Sequence, residues 1–211
     1  MTHTIHRRGD RESLEGDYVV LVREYGQPEK TREAVRILAN HNPIGLIKRR
    51  NGIPLRYMKN WAEGLEKKEL VENPDPPTYI SGVYKEKGDV EGLVRDLVEA
   101  DLGLPITISG VVDEVFDICE KTGTGPHSVM LSMETIGRTE LLPDDKVLEI
   151  TTMCGHGLVH QHLVRHFIGQ VRKGRMTAEE AGLELGKQCI CNSFNHIRAA
   201  NLIKKYVSTQ R

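Results

Sequence analysis

Short apolar runs alternate with amphipathic stretches along most of this chain. Residues 17–24 (Asp-Tyr-Val-Val-Leu-Val-Arg-Glu) are apolar and β-branched, which predicts a buried strand. The pattern then predicts a helix from Glu29 to Asn40, with Ala34, Val35, Leu38 and Ala39 inward. Asn42-Pro43 stops it, because the residue before proline is pushed out of helical space. Ile44 to Ile47 reads as a second strand, and Asn51-Gly52 as a hairpin turn. Residues 58–72 look helical and charged. Asn73-Pro74-Asp75-Pro76-Pro77 is a stiff break and the best boundary, separating an N-terminal α/β subdomain (1–72) from residues 78–211.

The second part repeats the alternation. Tyr79–Tyr84 reads as a strand, followed by a helix opening at Asp89 with Val90, Leu93, Val94, Leu97 and Val98 on one face and Gly103 at its end. Pro105–Ile108 reads as a strand, and residues 111–121 as a helix with Val112, Val115, Phe116 and Cys119 inward. Val129–Met133 and Val147–Thr152 read as further strands. Strands alternating with helices predict an α/β fold, a largely parallel sheet covered by helices. Beyond Cys154 the pattern turns helical: about 157–173, then a Thr177–Glu180 capping box opening a helix to Lys187, then about 195–206. This predicts a helical C-terminal lobe.

Composition narrows the class of protein without naming a reaction. The chain has 211 residues, 38% apolar and 28% charged, with a formal charge of −1, so it is no general polyanion binder. No apolar run is long enough to span a bilayer, and the polar N-terminus lacks a signal-peptide core. Four cysteines in a chain of this length do not resemble a secreted disulfide framework, so a cytoplasmic setting is expected.

The distribution of cysteine and histidine changes the picture. Three of four cysteines and five of nine histidines fall between Cys154 and His196. The stretch opens with Cys154-Gly155-His156-Gly157 and is answered by Cys189-Ile190-Cys191. Thiolates and imidazoles gathered in this way suit a zinc ion or an iron–sulfur cluster. Cys154 would follow a strand end, where ligand sites of α/β sheets gather. Cys189 and Cys191 precede a helix, whose N-terminus would favour their thiolates. On a helical wheel over 157–173, His156 and His160 fall within the apolar arc, and His162 and His166 outside it. The candidate ligands are therefore Cys154, His156, Cys189 and Cys191, with His160 as an acid–base group. A Cys189–Cys191 redox dithiol is the metal-free alternative. Cys119 is read as a small core residue.

The Cys-Gly-His-Gly and Cys-x-Cys motifs, over roughly the last 100 residues, resemble a group of uncharacterised prokaryotic proteins sharing that pattern. The resemblance implies a site and no activity. In that group glycine follows the last cysteine; here Asn192 does.

The remaining signals are weaker. Arg36, Lys48, Arg49, Arg50, Arg56 and Lys59, with Tyr57 and Trp61, form a basic strip lacking acidic residues between 34 and 62. It supports a second reading: a non-catalytic, zinc-stapled binding module for a phosphate-bearing ligand or nucleic acid. The bland reading of the strip, a solvated hairpin, carries more weight. Under the first reading the partner is a small-molecule substrate at an open coordination position. Self-association is left open, and neither membrane nor nucleic-acid binding is expected.

Overall fold

A computed structural model describes residues 7–23, 26–50, 53–58, 66–75, 77–132 and 135–209. The elements run α1 (Arg11–Leu14), β1 (Tyr18–Arg23), α2 (Pro28–Asn40), β2 (Gly45–Arg50), β3 (Ile53–Met58), α3 (Lys67–Glu72), β4 (Tyr79–Tyr84) and α4 (Lys87–Glu99). They continue with β5 (Ile106–Ser109), α5 (Val112–Lys121), α6 (Asp145–Thr151), α7 (Gln161–Arg172), α8 (Ala178–Lys187) and α9 (His196–Ser208). Among the described residues no helix is long and apolar enough to cross a membrane.

The chain divides into two compact units. One comprises Glu15–His127 together with Cys191–Ser193. The other holds the described residues up to Leu14, Ser128–Ile190 and those from Phe194 onward. The proline-rich break at 73–77 is therefore not a boundary. β2 before it and β4 after it are paired neighbours in one sheet.

That sheet has the order β3-β2-β4-β1-β5, and every neighbouring pair is antiparallel. The expected largely parallel sheet is thus wrong. The registers show why the pattern misled. β1 and β2 point the same way, as a strand–helix–strand crossover requires, but β4 lies between them running the other way. β1 likewise separates the codirectional pair β4 and β5. Alternation of strands and helices sets the direction of consecutive strands and says nothing about which become neighbours. β1 added to the confusion. Tyr18, Val20 and Val22 join one core cluster, while Val19 and Leu21 on the opposite face are also buried. A strand buried on both faces reads as the continuous apolar run associated with parallel sheets.

The sheet unit's core is formed by that first face of β1 with Leu46, Ile80 and Tyr84, packed with Leu38 of α2 and Leu93 and Leu97 of α4. Tyr84 is fully buried, and its hydroxyl donates to the Leu38 carbonyl at 2.9 Å. Its ring lies over Gly82, where a Cβ would sit 2.5 Å from the phenolic oxygen. On α5 the expected inward face is wrong. Val112 and Phe116 are each 42% exposed, Cys119 is half-buried, and Ile118 carries the burial.

The helical unit also departs from expectation. Residues 147–152, expected as a strand, form the body of α6 and its C-cap, Thr152. Asp144 caps it by accepting from Val147 N at 3.1 Å, and Val147, Leu148 and Ile150 bury one side. A β-branched stretch forms a helix here because a good N-cap and a helical spacing of apolar residues outweigh weak strand propensity. Residues 128–132, also expected as strand, have no regular structure, and residue 133 lies outside the described residues. α8 opens on the expected Thr177–Glu180 capping box, and Asn195 caps α9 by accepting from Arg198 N at 2.8 Å. Buried Arg198 then ties α9 to the N-terminal segment, donating to Ser13 Oγ at 2.9 Å and the Arg8 carbonyl at 2.6 Å.

Candidate functional site

The site is built where α6 ends. Thr152 Oγ1 closes the helix by donating to the Leu148 carbonyl at 2.6 Å, and Cys154 N donates to the Thr151 carbonyl at 3.1 Å. The chain then turns back on itself. Gly157 N donates to the Cys154 carbonyl at 2.9 Å, and Gly157 has φ +67°, a left-handed conformation that glycine adopts without strain. Within this turn the backbone N–H groups of His156 and Leu158 donate to the Cys154 sulfur. The two glycine-containing dipeptides of Cys-Gly-His-Gly therefore have a local role, wrapping peptide donors around a thiol.

The second sulfur comes from the end of α8. Cys189 lies in the closing turn of that helix, its N–H donating to the Gly186 carbonyl at 3.1 Å. Cys154 and Cys189 are both buried, at 2% and 0% exposure, and no disulfide joins them. The Cys154 thiol donates a hydrogen bond to the Cys189 sulfur. That bond, burial, and the cost of placing a second negative sulfur nearby push the Cys154 pKa well up, against the two peptide N–H donors. Without a ligand Cys154 therefore keeps its proton.

The expectation that a helix N-terminus would favour the thiolate at 189 fails. Cys189 sits at a helix C-terminus, the end that disfavours negative charge, and Cys191 lies ahead of the Asn195 cap of α9. Cys191 is buried at 6% exposure and is grouped with the sheet unit. Next to it Asn192 has φ +50°, so asparagine holds the left-handed conformation expected of glycine at that place. Its Nδ2 donates to the Tyr57 carbonyl at 3.1 Å.

The histidines are arranged differently from the helical wheel. α7 begins at Gln161, so the wheel was extended over residues that are not helical. His156 lies in the turn after Cys154 and His160 is the N-cap of α7; both are exposed rather than inward. His160 Nδ1 accepts from His162 N at 3.3 Å, which leaves Nε2 to carry the proton of the neutral ring. Among the described residues no group of three or more histidine, cysteine, aspartate or glutamate side chains is arranged to hold a metal ion.

Against protein-family models, curated proteins and solved structures, the chain finds no match.

The basic strip does not form one exposed surface. Lys48 is 3% exposed, and its ammonium donates to the Asn73 carbonyl at 2.8 Å; burial holds its pKa below the usual lysine range. Arg36 pairs with Glu33 on α2 at 2.7 Å. Lys59 and Trp61 lie outside the described residues. A cation set on an apolar strand can still be drawn inward when a loop carbonyl accepts from it, which charge counting along the sequence does not reveal.

Proposed function

We propose that this protein binds a thiophilic metal centre, a zinc ion or an iron–sulfur cluster, built on Cys154 and Cys189. The observation that carries the reading is the contact between these two sulfurs, which lie far apart in sequence, with two peptide N–H groups aimed at one of them. Hydrogen bonds of this kind stabilise a thiolate once a cation has displaced its proton, and they tune metal–sulfur centres. His156, on the same turn as Cys154, is the further donor within the helical unit. With only these three donors bound, one metal position is left for water or substrate. His160, with Nε2 directed away from its capping bond, is the acid–base group.

Anaerobic purification followed by metal and sulfide analysis tests this. Iron with sulfide and visible absorption identifies a cluster, whereas one zinc without colour identifies a zinc centre. Cys154→Ser and Cys189→Ser should each lose the metal, and Cys191→Ser reports whether that thiol is a ligand. A full metal complement in both Cys154→Ser and Cys189→Ser would refute the assignment.

The same contact supports a second reading, a redox pair of Cys154 with Cys189 rather than Cys189 with Cys191. Two thiols would lose two protons and two electrons to a small disulfide oxidant of the glutathione class, forming one S–S bond. Mass analysis after such oxidation distinguishes the pairings, since only a 154–189 bridge links peptides from α6 and α8.

A further inference from the structure

One edge of the sheet is open. β5 ends the strand order and, among the described residues, pairs with β1 alone. Edge strands are commonly guarded by charge or proline, because their outward N–H and C=O groups are a template for another strand. From Leu102 to Val112 there is no charged side chain, and the one proline, Pro105, precedes the strand. Ile106 is exposed.

The helix above that edge has an apolar side with nothing beneath it. On α5, Glu114 and Asp117 pair with Lys87 of α4, Lys121 reaches Glu91 of α4, and Ile118 enters the core. Val112, Val115, Phe116 and Cys119 occupy the side turned away from α4. Because α4 packs on β1 and β4, and α5 on β5, that side overhangs the open edge. Val112 and Phe116 are exposed there. A sixth strand beside β5 would lie under this stripe.

The chain also carries a strand-like segment with no sheet to join. Val129, Met130 and Leu131 are each more than half exposed, and residues 128–132 have neither charge nor regular structure. Eighteen residues separate Ser109 from Ser128, enough for a crossover onto β5 of the same chain, yet the segment stands outside the sheet. Charge points to a second copy. The sheet unit holds twenty Asp and Glu against fifteen Lys and Arg; the helical unit, which carries the segment, holds ten against fourteen. The helical unit of one copy is therefore drawn to the sheet unit of another. Asp113 and Glu120 border the α5 stripe on its solvent side and add to that attraction.

We propose that this chain self-associates by strand addition, residues 128–132 of one copy pairing with β5 of another beneath its α5. Side chains alternate along an extended segment, so Val129 and Leu131 share the face that packs under Val112 and Phe116. Main-chain hydrogen bonds supply the affinity and the apolar pair the fit. Five residues span only about 17 Å, a small interface, which sets Kd at about 1–100 μM.

Sedimentation velocity on the full chain tests the proposal, from about 1 to 200 μM protein and in about 0.05 and 0.5 M salt. Concentration-dependent association is expected, at least about threefold weaker at the higher salt. Phe116→Lys blocks the acceptor and Leu131→Glu the donor, both at exposed positions. Each should weaken association at least about tenfold while melting as wild type does. Val112→Lys and Val129→Pro repeat the two blocks at other positions. An equimolar mixture of Phe116→Lys with Leu131→Glu should associate again, since one keeps its segment and the other its edge. Three results would overturn the proposal: wild type monomeric throughout, including a monomer whose amides at 129–131 are protected by its own β5; wild-type association in either blocked variant; or a mixture that stays monomeric.

Discussion

Gly182 lies where α8 packs on α9, and alanine there probes that contact with a calculable sign. A Cβ at this position would be 2.4 Å from the His196 carbonyl oxygen and 3.3 Å from Ala200 N. Both are backbone atoms of α9 and cannot rotate away. Restoring ordinary contact requires the helices to part by about 1 Å. Overpacking typically costs about 1–3 kcal/mol, and an immovable backbone atom puts this case near 3. Removing glycine from a helix interior returns about 1 kcal/mol. The net destabilisation is about 2 kcal/mol, or a fall in Tm of about 4–8 °C for a chain of this size. Gly169 on α7 is the internal control, because nothing lies within 4 Å of a Cβ built there. Gly169→Ala should therefore raise Tm by about 1–4 °C. Scanning calorimetry on both variants and the wild type reads the two signs. A Gly182→Ala protein that melts at or above wild type would refute the packing argument.

Three further outcomes are expected. Tyr84→Phe leaves the Leu38 carbonyl buried without its donor and should cost about 1–3 kcal/mol in urea unfolding. Asn192→Gly keeps the left-handed backbone and loses the bond to Tyr57, costing about 1 kcal/mol. Asn192→Val adds about 1–2 kcal/mol of backbone strain, so the ratio of the two urea midpoints separates the terms. In metal-free protein Cys154 keeps its proton in the folded state at pH values where an unfolded cysteine has lost it. Its contribution is thus complete below pH about 8.5 and declines above it by about 1.4 kcal/mol per pH unit. Thermal melts from pH 7 to 10 should show this alkaline loss in wild type and a flatter profile in Cys154→Ser, before the buried Tyr84 adds its own loss near pH 10 and above.

Local chemistry was legible where it decides structure alone. The Thr177–Glu180 box, the helix stopped before Pro43 and the paired strands flanking Asn51-Gly52 all appear as expected, although the two turn residues lie outside the described residues. What failed depends on distant partners. The interleaving of β4 between β1 and β2 leaves no local trace, and the double burial of β1 imitates a parallel strand. α6 was obscured because Val147, Leu148 and Ile150 suit a strand as well as a helix, and only the Asp144 cap tips the balance. The histidine wheel failed for a related reason, since its phase was drawn from residues ahead of the true start of α7. At the site, the clustering of Cys154 with Cys189 was visible as composition. The peptide donors from His156 and Leu158 were not, because they arise from backbone folding.

The account rests on Cys154 and Cys189 acting together as sulfur donors to one metal. X-ray absorption at the metal edge of anaerobically purified protein measures this directly, because zinc–thiolate distances fall near 2.3 Å. At least two sulfur neighbours at about that distance are predicted in wild type, with metal lost from the Cys189→Ser variant. A metal ringed only by nitrogen and oxygen, or an unchanged sulfur shell in that variant, would contradict it.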